Sequence, residues 1–322
     1  MLTVSAVIAT YNGTRYLAQA VESALAQTYE LLEIIVVDDG SREDIRSIVA
    51  PYAPKVKYVR QENGGPAAAR NHGIRIARGD VIALLDDDDL WHPTKTAEQV
   101  RLLQAHPECA LVYSYPELVD EEGALIPNQG PREFPSGSVY LDFLKSNRIN
   151  SPSGTLIRRE IFSRVGYFDE SRECISCEDY DLWLRIACNG EVLFCEGSLF
   201  SYRVRGTGIS QNLDKHLKAN FYVFNKLIYQ HIKEARLSDQ DFCKAFNFNI
   251  HNTLKRFAYK YYFSATNRSK AKSLMLEALQ KYPYCPKDIL YFCIFSMPDW
   301  LFEKLRKFKQ SLFAARLTPD LK

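Results

Sequence analysis

Four short apolar runs recur within the first hundred residues, and each is followed by a polar turn. These runs have the length and composition of buried strands; they are Val4–Thr10, Ile34–Val37, Val56–Val59 and Val81–Leu85. A helical pattern separates the first two runs, and a second helix is expected from Pro66 to Ala77, because proline suits the first position of a helix. This alternation predicts an α/β fold with a mostly parallel, doubly wound sheet flanked by helices.

The most distinctive polar segment is the acidic run Asp86-Asp87-Asp88-Asp89, which directly follows the strand Val81–Leu85. Adjacent carboxylates repel one another, and a hard divalent cation with oxygen ligands is their natural neutralising partner. A solvated acidic loop is the alternative. The run lies between a core-like strand and Trp91, at the strand end where open sheets bind ligands, so the metal interpretation is favoured.

Polar residues follow the other predicted strands as well, at Thr10-Tyr11-Asn12, at Asp38-Asp39-Gly40-Ser41 and at Asn63-Gly64-Gly65 with the nearby Arg70. In a doubly wound sheet these segments converge in space, and together they suit a nucleotide diphosphate. The chain contains neither GxGxxG after the first strand nor GxxxxGK[ST], which excludes the common dinucleotide and phosphate-loop fingerprints.

Composition narrows the class of protein and its environment. The 322 residues carry a net charge of +2, which gives no indication of a nucleic-acid partner. The start of the chain lacks the pattern of a signal peptide, and no apolar stretch reaches spanning length, so we expect a cytoplasmic protein. Its eight cysteines are expected to be reduced thiols. Cys174 and Cys177 form one CxxC without a second pair at suitable spacing, which disfavours a zinc site.

Beyond residue 108 the elements become shorter and then wholly helical. Four short strands are predicted, at Ala110–Ser114, Thr155–Arg158, Val192–Cys195 and Leu199–Val204. A helix is expected over Glu178–Asn189, with Ser176 as its cap and Gly190 at its end. A domain boundary is predicted near residue 212, followed by a region of helices rich in aromatic residues and lysine.

Three segments resemble the sequence blocks of the family 2 glycosyltransferases, and they occur in the family's order. The segments are VSAVIATYNGTRYLAQAVESALAQTYELLEIIVVDDGS, ENGGPAAARNHGIRIARGDVIALLDDDDLW and CEDYDLWLRIA. The resemblance covers residues 3–210 and implies the A-type glycosyltransferase fold and inverting transfer from a nucleotide-diphosphate sugar, most often a uridine one. It implies a catalytic domain over residues 1–212, with a nucleotide-binding half at 1–108 and an acceptor half at 109–212, before a helical C-terminal region at 213–322.

The resemblance also implies roles for residues around the nucleotide. Thr10 and Tyr11 would contact the nucleoside, Asp39 would hydrogen-bond the base, and Arg70 resembles the cationic residue of the nucleotide pocket.

Within the acidic run, the family pattern makes Asp86 and Asp88 the motif proper. Asp88 is then the expected direct ligand of Mg²⁺ or Mn²⁺, and Asp87 would face the ribose. A metal bound in this way would also stabilise the departing diphosphate.

Glu178-Asp179 matches the family's base motif, with Asp179 as the general base and Glu178 as a candidate contact for the sugar or acceptor. Inversion requires a carboxylate opposite the leaving group that takes the proton of the acceptor hydroxyl. Considered alone, acidic residues in the first turn of a helix are also expected from their favourable interaction with the helix dipole.

Three positions near the site have open interpretations. Arg205 stands where many members of the family carry a histidine, and an arginine suits bidentate contact with diphosphate oxygens rather than metal coordination. The alternative for Arg203 and Arg205 is a solvated edge strand. Trp91 would contact the donor sugar or, alternatively, pack where the next helix begins.

The predicted function is transfer of a sugar to a glycan, lipid-linked or protein acceptor, in the synthesis of cell-envelope polysaccharide or glycoconjugates. A metal-dependent nucleotidyltransferase and a non-catalytic nucleotide-sugar-binding protein are the alternatives. Segment 288–313 mixes basic and aromatic residues in a pattern that suits a helix on an anionic membrane surface. Peripheral association at the inner face of the membrane is therefore expected, and a helix that packs back on the catalytic domain is the alternative.

Overall fold

The structure is a computed structural model that describes residues 1–127, 133–149, 151–206, 212–234, 236–263 and 267–281, together with Phe292 and Ser296. By its internal contacts the chain divides into two units, Met1–Ala245 and Phe246–Lys322. The predicted boundary near residue 212, between a catalytic domain and a helical region, is a functional division and stays a prediction.

Nine strands of the described residues form one mixed sheet in the first unit. In chain order they are β1 Val4–Thr10, β2 Glu33–Asp38, β3 Val56–Arg60, β4 Val81–Asp86, β5 Leu90–Trp91, β6 Cys109–Val119, β7 Leu125–Ile126, β8 Thr155–Arg158 and β9 Glu191–Arg203. Their spatial order is β3-β2-β1-β4-β8-β6-β9-β5, with β7 paired to β6. The four strands β3, β2, β1 and β4 are parallel, as predicted, whereas β8 runs antiparallel between β4 and β6.

Helices follow most of the strands. In chain order they are α1 Leu17–Leu25, α2 Ile45–Val49, α3 Pro66–Ile76, α4 Lys95–Ala105, α5 Tyr140–Lys145, α6 Ile161–Val165, α7 Glu178–Asn189, α8 Leu213–Glu234, α9 Asp239–Phe263 and α10 Arg268–Lys281. Leu17, Ala20, Val21 and Ala24 recur at helical spacing along α1 and are buried against the apolar residues of the sheet. Among the described residues, none of the helices combines the length and apolar character needed to cross a bilayer.

The second half of the sheet departs from the predicted elements. The two strands predicted at Val192–Cys195 and Leu199–Val204 form one strand, β9, and the element predicted at Ala110–Ser114 extends to Val119 in β6. The pairing of β6 with β9 is irregular near Gly197, whose φ is +92. An irregular pairing of this kind accommodates extra residues without ending the strand. The turn-forming residues around Gly197 therefore lie within β9 and do not divide it into the two predicted strands.

The start of α7 also differs from the prediction. Cys177 occupies the position before the helix and makes no side-chain capping hydrogen bond, so the prediction that Ser176 caps α7 is wrong. The Ser176 side chain instead forms a hydrogen bond with His216 of α8. Gly190 does follow the last residue of the helix, as predicted.

The segment predicted to contact a membrane, residues 288–313, lies outside the described residues apart from Phe292 and Ser296.

Candidate active site

The carboxyl ends of β1, β2 and β4 lie side by side at one edge of the sheet. Thr10 of β1 is in register with Asp38 of β2, and Ala9 is in register with Asp86 of β4. Parallel pairing therefore brings the polar segments that follow these strands into one region, although they are far apart in the sequence.

At the end of β2, Asp38 is a completely buried carboxylate with several donors. It accepts hydrogen bonds from the Ser41 N–H at 2.8 Å and the Tyr58 hydroxyl at 2.7 Å, and it pairs with Arg60 at 2.6 Å. Burial acts to raise the pKa of Asp38, but these hydrogen bonds and the Arg60 charge outweigh it, so the pKa is lowered. Asp38 is thus a structural anion.

Asp39 organises the loop that leads into α3. Its carboxylate accepts hydrogen bonds from the side chains of Gln61 and Asn63 and from the N–H groups of Gly64 and Gly65, at 2.8–3.1 Å. These contacts use both carboxylate oxygens twice, which takes up the ordinary acceptor capacity of the group. The predicted bond from Asp39 to a nucleotide base stays a prediction, and forming it requires one of these donors to give way.

At the end of β4, Asp86 and Asp87 have different partners. Asp86 pairs with Arg70 at 2.7 Å, whereas Asp87 accepts a hydrogen bond from the Thr10 hydroxyl. Burial, reinforced by repulsion from Asp88, raises the pKa of Asp87 to about 7. The contact with Asp87 also shows where the Thr10 side chain lies: at the acidic run.

Asp88 and Asp89 continue this contrast. Asp88 pairs with Arg205 Nε at 2.6 Å, while Asp89 accepts hydrogen bonds from Ser151 at 3.0 Å, from Ser153 at 2.6 Å and from the Arg203 N–H at 3.0 Å. Burial raises the pKa of both carboxyls, and repulsion within the run adds to the effect. The neighbouring hydrogen-bond donors and arginines therefore offset only part of the free-energy cost of holding these negative charges close together.

Arg203 and Arg205 occupy distinct environments, although only Val204 separates them in the sequence. Arg203 is only 4% exposed and donates to the carbonyl oxygens of Asp88, Asp120 and Glu121. The solvated-strand interpretation is therefore wrong for Arg203, because β9 lies between β6 and β5 rather than at a free edge. Arg205 lies just past β9, and its side chain is 35% exposed, facing Asp88.

The start of α7 reaches the same region through Arg70. One guanidinium nitrogen of Arg70 lies 2.9 Å from Glu178, and the other lies 2.7 Å from Asp86. Burial acts to lower the pKa of Arg70, but the two carboxylates outweigh it and raise the pKa. Arg70 therefore joins the end of β4 to the start of α7.

Asp179 follows Glu178 and lies within the first turn of α7, where its carboxylate accepts the Tyr180 N–H at 2.6 Å. Burial, followed by repulsion from Glu178, raises the pKa of Asp179 to about 7. A carboxyl with this pKa exchanges a proton near neutrality, as a general base requires. We call the six acidic side chains of this region the crowded cluster: Asp86, Asp87, Asp88, Asp89, Glu178 and Asp179.

Two aromatic residues near the cluster, Tyr11 and Trp91, differ in their exposure to solvent. The Tyr11 side chain is 49% exposed, so its ring is accessible to a ligand. Trp91 is 3% exposed, its indole N–H donates to the Ser153 carbonyl at 2.8 Å, and Lys95 Nζ lies 4.5 Å from the ring centre. This position favours the packing interpretation of Trp91 over contact with a sugar.

Several residues that shape the site were not singled out from the sequence. Ser151 and Ser153 bind Asp89, and a Cβ on Gly13 would lie 1.9 Å from an oxygen of Asp87. Gly13 therefore permits the close approach of the loop after β1 to the acidic run. The sequence indicates tight turns at two of these places, Asn12-Gly13 and Ser151-Pro152-Ser153-Gly154. Neither turn signal indicates that the segment contacts the acidic run.

The acidic run is the candidate site for the divalent cation that the sequence implied. Within the part of the chain that the structure describes, no three His, Cys, Asp or Glu side chains converge as a ready metal-binding group. The hard oxygens of Asp86 and Asp88 nevertheless fit Mg²⁺ or Mn²⁺. Burial and repulsion from Asp86 raise the Asp88 pKa, and a cation would relieve that repulsion. The donor chemistry therefore fits the metal.

Comparison with known proteins places these features in a family. A sequence model described as Glycosyl transferase family 2 matches residues 5–166. An Escherichia coli protein named UDP-Glc:alpha-D-GlcNAc-diphosphoundecaprenol beta-1,3-glucosyltransferase WfaP is 34% identical over 218 residues, which are 66% of this chain and 82% of that protein. A Rickettsia felis protein named as an uncharacterized glycosyltransferase is 30% identical over 243 residues, 74% of this chain but 40% of that protein.

A solved structure supports the fold. S. aureus TarS, residues 1–349 in complex with UDP-GlcNAc, superposes with a TM-score of 0.62 and 18% identity. The match covers 95% of this chain and 92% of that one. This likeness confirms the predicted A-type glycosyltransferase fold.

Proposed function

This chain belongs to glycosyltransferase family 2, and we propose that it transfers a sugar from a UDP-linked donor to a hydroxyl acceptor with inversion. The observation that carries the proposal is the Arg70 bridge, which places the acidic end of β4 and the start of α7 at one site. Donor and acceptor chemistry can meet only if the diphosphate-binding end and the base lie together.

The proposed reaction is a single displacement. The acceptor oxygen forms a bond to the anomeric carbon of the sugar while the bond from that carbon to the diphosphate breaks. The proton of the acceptor hydroxyl passes to Asp179, whose pKa of about 7 leaves a substantial fraction ionised at neutral pH. Arg70 holds Glu178 beside this base through the ion pair at 2.9 Å, and Glu178 is the proposed contact for the sugar or acceptor.

Donor binding is assigned to the edge formed by β1, β2 and β4. Thr10, Tyr11 and Asp39 are proposed to contact the nucleoside, and Asp87 the ribose. Support comes from the exposed ring of Tyr11 and from the Thr10–Asp87 contact, which puts the end of β1 beside the acidic run. Arg205, now paired with Asp88, is proposed to contact the diphosphate, because a guanidinium can bind two phosphate oxygens at once.

Mg²⁺ or Mn²⁺ is proposed to bind at Asp88, with Asp86 beside it. When bound, the metal would neutralise charge on the diphosphate leaving group. In the part of the chain described, Asp88 already has Arg205 as a cationic partner, so Arg205 and the metal are expected to share the task of balancing the negative charge.

The acceptor is proposed to be a lipid-linked glycan of the cell envelope. This proposal follows the name of the E. coli relative, which specifies UDP-glucose and a diphosphoundecaprenol-linked sugar. Such an acceptor lies in a membrane, so we also propose cytoplasmic, peripheral association through residues 288–313. Co-sedimentation of the full chain with anionic vesicles, and its absence with neutral vesicles, would support this association; equal partitioning would contradict it.

The decisive test of the proposed function is a donor assay that needs no acceptor. UDP-glucose and UDP-GlcNAc are incubated with the protein in Mg²⁺, in Mn²⁺ or in excess chelator, and the nucleotide products are separated. Slow, metal-dependent release of UDP is expected. Asp88→Ala should abolish it, whereas Asp239→Ala, which removes a side chain 97% exposed on α9, should leave it unchanged.

The other outcomes discriminate the alternatives. Release of pyrophosphate from a nucleoside triphosphate and a sugar phosphate would indicate a nucleotidyltransferase. Donor binding without turnover, in the presence of any acceptor tried, would indicate a non-catalytic binding protein. Full activity in excess chelator would contradict the metal assignment and leave Arg205 as the neutralising charge.

A further inference from the structure

Helix α8 contacts the loop that precedes the proposed base, although α8 lies outside the three segments that carry the family resemblance. His216 Nδ1 and Ser176 Oγ are 2.8 Å apart in a hydrogen bond. One turn later on α8, Asn220 donates to the Cys177 sulfur at 3.2 Å and to the His216 carbonyl at 2.8 Å. These contacts join α8 to the two residues directly before Glu178 and Asp179.

The loop requires such support because of its backbone. Ser176 has a φ of +79, in the left-handed region that residues with a Cβ rarely adopt. In this conformation the Ser176 N–H points to Glu178 and donates to its carboxylate at 2.7 Å. The hydrogen bond with His216 therefore holds a strained residue whose backbone in turn orients Glu178.

From Glu178 the contacts continue into the active site. Glu178 pairs with Arg70 at 2.9 Å through its other carboxylate oxygen, and Arg70 pairs with Asp86 at 2.7 Å. His216, Ser176, Glu178, Arg70 and Asp86 thus form an unbroken sequence of polar contacts from α8 to the end of β4.

Helix α8 itself is held in place by independent contacts farther along. Lys226 lies 2.7 Å from Asp169 and 2.6 Å from Asp181, and Tyr222 also donates to Asp169. A change at His216 is therefore expected to loosen the loop while the helix stays attached.

We propose that His216 is a positioning residue for the transfer reaction: through Ser176 it fixes Glu178 and the start of α7, and so the direction in which Asp179 faces the acceptor. This proposal rests on the proposed function, because it assigns His216 a role in the same site. Its effect should fall on the chemical step, since the hydrogen bond of His216 to Ser176 leads to Glu178 and the proposed base.

Two substitutions at this position separate the hydrogen bond from the packing of the ring. His216→Asn keeps a polar atom near the place of Nδ1 but removes the ring, whereas His216→Phe keeps an aromatic ring but cannot form the hydrogen bond. His231→Ala is the matched control, because it removes a histidine that stacks on Phe242 near the other end of α8.

The first measurement is hydrogen exchange of a peptide spanning residues 172–182 in the full chain, which requires no substrate. His216→Phe should exchange faster there than the wild type, and His216→Asn and His231→Ala should resemble the wild type. Unchanged exchange in His216→Phe would overturn the proposal, and equal loosening by His216→Asn would show that the ring packs rather than positions.

The second measurement is turnover of UDP-glucose or UDP-GlcNAc. His216→Phe should lower kcat by about tenfold with the KM for the donor nearly unchanged, as expected for a misplaced reacting group. A loosened loop with normal kcat would also overturn the proposal. A wild type that turns over neither donor would instead count against the proposed function, and the exchange measurement would still decide whether His216 holds the loop.

Discussion

Two strands of one sheet, β2 and β4 on either side of β1, end in acidic residues whose environments are opposite. At the end of β2, Asp38 is matched by Ser41, Tyr58 and Arg60, and its pKa is lowered. At the end of β4, burial and mutual repulsion raise the pKa of Asp87, Asp88 and Asp89. The carboxylate of Asp38 at β2 is stabilised by its donors and stabilises the fold in turn. The carboxylates at β4 have raised pKa values, so additional positive charge would stabilise their ionised forms.

The same contrast extends to α7. Asp169, which is matched by Lys226, has a lowered pKa, because the hydrogen bond from Lys226 and the Ser171 N–H outweigh its burial. Asp179, beside Glu178, has a raised pKa. A carboxylate that is matched by hydrogen-bond donors and cations stabilises the folded structure. Carboxylates that are crowded together more readily bind a cation or accept a proton.

The largest expected effect tests the chemical role of the crowded cluster. Asp179→Asn should lower turnover by roughly two to four orders of magnitude, the usual scale of general-base catalysis, while donor affinity changes little. Glu173→Gln, at an exposed carboxylate before α7, is the matched control and should retain full activity. Near-normal transfer by folded Asp179→Asn protein would remove Asp179 from its assigned role.

The next effect tests the structural role of the matched carboxylate. Asp38→Ala leaves the Tyr58 hydroxyl and the Ser41 N–H without their buried acceptor, so the free energy of unfolding should fall by about 3 kcal/mol. Arg60 is half exposed and should contribute little of this loss.

Chemical denaturation measures the loss at Asp38, with Asp44→Ala as a graded control. Asp44 accepts the Ser47 N–H at the start of α2, and removing this cap should cost about 1 kcal/mol. Equal effects of the two substitutions would show that burial of Asp38 adds nothing and would break the contrast between the two strand ends.

A smaller effect concerns the pH dependence of turnover. A base with a pKa of about 7 loses its ionised form as the pH falls through 7, so kcat should drop about tenfold for each unit below that value. The pH–rate profile at saturating donor measures this fall. A profile that stays flat to pH 5 would mean that the base titrates near the ordinary value of an aspartate.

The smallest effect is a gain in stability. The folded protein holds a proton on Asp179 between the ordinary pKa of 3.8 and about 7, so this group's contribution is complete below 3.8 and is lost as pH rises through 7. At pH 8, Asp179→Asn removes a buried charge and should raise the free energy of unfolding. Denaturation at pH 8 and pH 4 should show the gain only at pH 8; an equal gain at both would exclude a charge effect.

Much of the nucleotide-binding half was predictable because its determinants are local. Apolar runs and turn residues predicted the four parallel strands nearly to the residue, and the proline at the first position of α3 predicted where that helix begins. Parallel pairing then makes strand ends converge wherever the strands lie in sequence. For this reason the convergence of Thr10, Asp38 and Asp86 followed from the pattern alone.

The environment of each side chain was decided by the tertiary structure. Arg203 and Arg205 are indistinguishable by residue type, yet one is buried among carbonyl oxygens and the other faces Asp88. Whether Trp91 meets solvent or core likewise depended on the packing of Lys95 and Ser153 around it.

By itself, therefore, the sequence determined which segments of the nucleotide-binding half become parallel strands, which carboxylates stand at their ends, and which family blocks the chain contains. The tertiary structure alone decided which carboxylates are matched and which are crowded, and it brought His216 to the loop before Asp179. The physical reason is the separation along the chain over which each effect acts. Backbone preferences and periodicity act between residues that are close in the sequence. Charge pairing acts between atoms a few ångströms apart, such as Arg70 and Glu178, which are 108 positions apart in the chain.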